Sequence, residues 1–271
     1  MNLYKINKEY SLFLFFFNMF VLFTVSEVLK TKEIIVPYKT IICFFLISII
    51  GVSHGSLDHI KGYSLMKFYK INNRYLFYPI YIFCCLLVIF FWKMFPFISL
   101  ILFLFVASYH FGKEDSCVGN MVKKKFISIF YLLKGSLVVI APLLFHTEET
   151  LQIFQILSVN LILPHENYLF VLLLISFIAN WVIMKSSNNG VFLLADWVTI
   201  LTLNVFFSPL VAFTIYFCFL HSVRHSFGLI YEMGKKNFKA GLNKFVKKAL
   251  PLTVVTAILF IVSVYILTNY Y

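Results

Sequence analysis

The seven histidines of this 271-residue chain are unevenly placed. His54 lies in Ser53-His54-Gly55-Ser56-Leu57-Asp58-His59, His110 in Ser108-Tyr109-His110-Phe111-Gly112, and the last two in His221-Ser222-Val223-Arg224-His225. Neutral imidazole is a ligand for iron, zinc, copper or nickel, and apolar surroundings favour that uncharged form. His221 and His225 are spaced i,i+4, so on a helix their side chains diverge by only about 40° and can grip one ion. His54 and Asp58 share that spacing. His54 and His59 diverge by about 140° on an unbroken helix, which turns His59 toward headgroups or solvent. The candidate ligands are therefore His54, His110, His221 and His225. An alternative donor set, His221 and His225 with Asp58, has the make-up of the 2-His-1-carboxylate site of non-haem iron oxygenases. Asp58 could instead accept the other ring N–H of a ligand and fix its tautomer. That role is preferred, because it leaves both His54 and His110 in use.

The elements that must position these residues are read from the apolar runs. The composition is 61% AVILMFWYC and 13% charged, against about 45–50% and about 25% for ordinary soluble chains. A soluble fold cannot bury that much apolar surface, and disorder is excluded for the same reason. Runs at 11–29, 37–55, 75–92, 94–110, 126–145, 168–184 and 250–268 are each long enough to cross a ~30 Å hydrocarbon core. The stretch from 191 to 228 contains Asn204 and Ser208-Pro209 and divides into 191–207 and 209–228. The expectation is an all-α, polytopic bundle of eight or nine spans in a single integral-membrane domain over 1–271. With a cytoplasmic N-terminus, 18 of the 23 basic residues fall inside and 4 outside, as the positive-inside rule requires. The net charge of +12 thus sets orientation and is not the footprint of a nucleic-acid partner. The first run is read as a retained helix, since no small-residue cleavage site follows Leu29.

In this topology the second, fourth and eighth spans all run inward, so the three His motifs end near one cytoplasmic face. His146 and His165 flank an outside segment and are set aside. Asp115 is expected to be a solvated loop residue, Lys134 and Asp196 to pair within the membrane, and Glu27 to snorkel. The five cysteines, Cys43, Cys84, Cys85, Cys117 and Cys218, lack zinc-type spacing and are expected to be free thiols.

Taken in order, His54-Gly55-Ser56-Leu57-Asp58-His59, Tyr109-His110-Phe111-Gly112 with Asp115, and His221-Ser222-Val223-Arg224-His225 resemble the motifs of the Brp/Blh family. Those are microbial membrane β-carotene 15,15′-oxygenases associated with retinal supply to rhodopsins. The resemblance covers the chain from the second span to the end of the eighth. It implies an Fe(II) site of four His, carried over to His54, His110, His221 and His225, with O₂ as co-substrate. It further implies β-carotene drawn from the bilayer, cleavage at C15=C15′ to two all-trans-retinals, a cell-membrane location, and retinal hand-off to a microbial rhodopsin. Physically, a rigid apolar polyene dissolves in the bilayer, and aromatic-rich helices could admit it laterally.

Rival readings are a membrane di-iron desaturase, a zinc intramembrane protease, a bis-His haem protein, and a transporter or non-catalytic carotenoid or retinal binder. Seven His with one HxxxH cannot supply two metals, and HExxH is absent. A transporter would more often show repeated halves, and none is visible.

Overall fold

The computed structural model describes residues 3–29, 39–55, 57–71, 73–116, 126–163, 165–186, 190–234 and 237–270. Side chains 25–29 and 52–54 are among those it leaves out. The described elements are helical: α1 (Leu3–Leu29), α2 (Lys39–Gly55), α3 (Asp58–Phe68), α4 (Phe77–Met94), α5 (Pro96–Glu114), α6 (Ile127–Gly135), α7 (Leu137–Phe145), α8 (Thr147–Ile156), α9 (Glu166–Ser186), α10 (Phe192–Phe206), α11 (Pro209–Ile215), α12 (Ser222–Met233) and α13 (Phe238–Tyr270). Between α11 and α12, Tyr216–His221 forms a π-helical segment.

Six stretches are long and apolar enough to cross a membrane: Lys5–Thr24, Phe77–Met94, Pro96–Glu114, Ile127–Phe145, Glu166–Ser186 and Phe238–Asn269. The stretches Lys39–Gly51 and Phe192–Phe206 are shorter apolar helices. The break expected at Ser208-Pro209 is present. Phe207 is extended (φ −121°, ψ 149°), Ser208 has ψ 153°, and Pro209 opens α11. A proline pushes the residue before it out of the α region and cannot take part in the preceding helical ladder. The tail differs from the sequence reading, because the polar stretch before 250 is helical from Phe238 onward. At 33 residues α13 rises about 50 Å, well beyond one hydrocarbon core. The short amphipathic α8, in the connection between α7 and α9, was also not foreseen.

The core lies where α7, α9, α10 and the π segment meet, around Leu137, Ala141, Trp197, Leu203, Ala212 and Tyr216. By contrast, α4 has no buried residue and meets α5 at Trp92, whose ring lies edge-on to Phe103. Among the described residues α5 and α6 meet backbone to backbone. A Cβ on Gly112 would fall 1.8 Å from the Tyr131 carbonyl oxygen, and one on Gly135 1.9 Å from that of Ser108. Small residues let membrane helices approach backbone to backbone, and here that approach brings Lys134 against the end of α5. Gly135→Ala is therefore expected to force α5 and α6 apart at an overpacking cost of about 1–3 kcal/mol. A lowered thermal midpoint in detergent is the check, and an unchanged midpoint would refute the close approach.

Candidate metal centre

Four backbone elements deliver the His motifs. α2 carries His54 at its end, α5 carries His110, and the π segment ends at His221, from which α12 carries His225. π turns in α-helices recur at functional sites. In this one the Tyr10 hydroxyl of α1 donates to the Phe219 carbonyl, which ties the segment to the first helix.

His221 is 1% exposed. Its Nδ1 lies 2.9 Å from Asp115 Oδ1, and Asp115 Oδ2 accepts the Tyr216 hydroxyl at 2.6 Å. Arg224 Nη1 and Lys134 Nζ donate to the Asp115 carbonyl at 3.1 and 3.3 Å, and Lys134 also reaches Ser116 Oγ at 2.8 Å. Arg224 Nη2 bridges Asp196 Oδ2 at 2.9 Å and Ser11 Oγ at 2.6 Å. Burial opposes the charge on Asp115. His221, Arg224 and Lys134 outweigh it and hold this carboxyl below its ordinary pKa. An ionised carboxylate only accepts, so His221 Nδ1 carries a proton, and in the neutral ring Nε2 then keeps the lone pair. His225 is placed in the same way, with Nδ1 3.3 Å from Glu114 Oε2. Carboxylates at the rear nitrogen of a ligating His orient the ring and raise its basicity.

The His110 ring is exposed and lies edge-on to His221, with centroids 5.3 Å apart at 68°. Two imidazoles bound to one ion at about 2.1 Å put their ring centres about 5 Å apart, so this pair fits a shared metal. Among the described residues no group of three or more His, Cys, Asp or Glu is assembled closely enough to hold an ion. The His54 side chain lies outside the described ones. Its backbone position is one helical turn beyond Gly51, whose Cα faces the Phe217 ring. Phe217 is in turn stacked on His221, with centroids 5.9 Å apart at 20°.

Other sequence expectations fare differently. Asp115 is not solvated: it is 4% exposed, because α12 and α6 close over the end of α5. Asp196 is bridged by Arg224, while Lys134 bonds to the Asp115 carbonyl and Ser116. Asp58 is exposed at the start of α3, its Oδ2 3.5 Å from where a Gly55 Cβ would stand. His59 is half-buried, edge-on to Tyr63. His146 and His165 stay in the connection that contains α8. Glu27 and Cys117 lie outside the described side chains, and Cys43, Cys84, Cys85 and Cys218 are free. The residues missed were Glu114, Arg224 and Tyr216. For Glu114 a signal existed, since it follows His110 by one helical repeat and shares its face.

The family model described as "Beta-carotene 15,15'-dioxygenase" matches residues 45–271. A curated relative of the same name from an uncultured marine bacterium, 66A03, is 30% identical over 191 residues, 66% of each chain. The match thus spans just under two thirds of that relative's length. No solved structure matches. The family match takes in α5, the π segment, α12 and all four candidate histidines, and by it the chain belongs to the beta-carotene 15,15'-dioxygenase family.

Proposed function

We propose that this protein cleaves β-carotene at its central C15=C15′ bond with O₂, giving two all-trans-retinals, at an Fe(II) held by His54, His110, His221 and His225. The observation that carries the reading is that His221 and His225 are each backed at Nδ1 by a carboxylate from the end of α5, with His110 edge-on to His221. Iron would supply the redox chemistry that lets ground-state O₂ react with a closed-shell polyene. The chain's own residues do the rest. Asp115 and Glu114 hold the two rings in the ligating tautomer, and Arg224 with Asp196 fixes the π segment's exit against α1. The expected i,i+4 helical relation of His54 and Asp58 is interrupted, because α2 ends at Gly55 and α3 begins at Asp58; across that break Asp58 is the candidate acceptor for the His54 ring. Phe111, Phe213 and Phe217 line the approach with aromatic faces and exclude water. We place the protein in the cell membrane, N-terminus cytoplasmic, on the distribution of basic residues, with its product available to a microbial rhodopsin.

Expression in β-carotene-accumulating cells is expected to bleach the pigment and yield retinal by chromatography, with iron in the purified protein. Retained pigment under iron-replete, aerobic conditions would overturn the activity. An intense Soret band would replace mononuclear iron with haem, and unchanged β-carotene co-purifying in the presence of iron and O₂ would make the protein a binder.

A further inference from the structure

A groove of about 230 Å³ runs along α5 past Phe103, Ala107 and Phe111, between α7 and α11, and ends against α8. It is almost wholly apolar. Thr150 is the one polar side chain among its described lining residues, and its hydroxyl is engaged by the Pro142 and His146 carbonyls at 3.0 and 2.7 Å. From Phe103 to Phe111 the groove covers about 12 Å of helix. Its volume lies below the roughly 300–1,000 Å³ of pockets that enclose a drug-sized ligand, so it has room for an arm of a long molecule and not for a whole C40 chain.

The inner end meets the candidate centre. The Phe111 ring packs edge-on to His221 at 4.8 Å, and the next residue back is His110. On the facing wall Phe213 stacks on Phe217 at 5.4 Å and 12°, and Phe217 stacks on His221. An aromatic lane thus leads from the groove to the imidazoles. At the outer end Phe103 is 58% and Ile153 38% exposed, which leaves a lateral entrance from lipid.

We propose that this groove is the subsite for one arm of the linear polyene, its ring end against α8 and its conjugated chain directed along Phe111 and Phe213 to the His pair. The proposal rests on the carotenoid reading above. A second apolar cavity, about 330 Å³ and lined by Phe17, Val21, Leu203 and Phe219, lies on the α1 side of the π segment. Tyr216 is among its lining residues and His221 is not, and the Tyr216 hydroxyl is committed to Asp115.

The test fills the groove at both ends and leaves the His residues alone. Ala107→Trp and Ile153→Trp are each expected to lower retinal formation by ~10-fold or more, the scale of a steric mismatch in a hydrophobic pocket. Iron content should stay at the wild-type level. Metal-stripped wild-type protein in detergent should retain β-carotene through gel filtration, read by its visible absorbance, and both variants should lose it. Val21→Trp, which fills the other cavity, should behave as wild type in both assays. Wild-type turnover and retention in both groove variants would overturn the subsite while leaving the activity standing. Groove-dependent retention without retinal formation would support the subsite and overturn the activity. Loss of retention only in Val21→Trp would move the arm to the α1 side and refute the proposal.

Discussion

His110→Ala is expected to bring retinal formation to background while leaving a folded protein. The ring is exposed on α5, so removing it opens no cavity in a packed core and should change the thermal midpoint little. Its edge-on approach to His221 puts it where a shared ion would be. Loss of a group that only supports a ligand costs about 10–100-fold in affinity or activity, and loss of a ligand should exceed that. Iron analysis, thermal unfolding in detergent and product chromatography on the same preparation check it. Full turnover in His110→Ala would remove this residue from the centre.

Asp115→Asn is expected to fold and yet bind iron about 10–100-fold more weakly, with turnover falling in step. The reason is the tautomer. The Tyr216 hydroxyl can still donate to the new side chain's oxygen, which leaves the NH₂ facing His221 Nδ1. That nitrogen must then accept, the ring proton moves to Nε2, and the lone pair aimed at the metal is lost. Iron titration of purified protein, with circular dichroism to confirm the helices, separates this from unfolding. Wild-type iron affinity in Asp115→Asn would show that the carboxylate does not set the tautomer.

These two residues mark where the sequence stopped being legible. His110 could be singled out from spacing, since it ends an apolar run of membrane length, as His54 and His221 do. The break at Ser208-Pro209 could be read too, because proline geometry is local. Asp115 could not. A carboxylate at a helix end is solvated or buried according to what covers it, and Arg224 and Lys134 arrive from elements 109 and 19 residues away. Arg224, a basic residue near the inner end of the 209–228 run, is 4% exposed and bound to Asp196 and to Ser11 of α1. Lys134 and Asp196 were paired because both are intramembrane charges. The Gly112–Gly135 crossing also carries Lys134 to the Asp115 carbonyl and Ser116 at the end of α5, and Arg224 joins Asp196 at 2.9 Å, a partner that spacing did not offer.

The sequence by itself determined the solvent, the helical runs and the four candidate imidazoles, because each is a property of composition or of spacing along one helix. It also determined the family, through motifs in fixed order. Only the tertiary structure decided which nitrogen of His221 and His225 faces a carboxylate, since Asp115 and Glu114 reach them from the end of α5. It likewise decided that Phe111, Phe213 and Phe217, among so many aromatics, pack together beside His221. Side-chain direction within a helix follows from sequence periodicity. Which helix faces which depends on packing between distant segments, and at this site glycine contacts and buried charges set that packing.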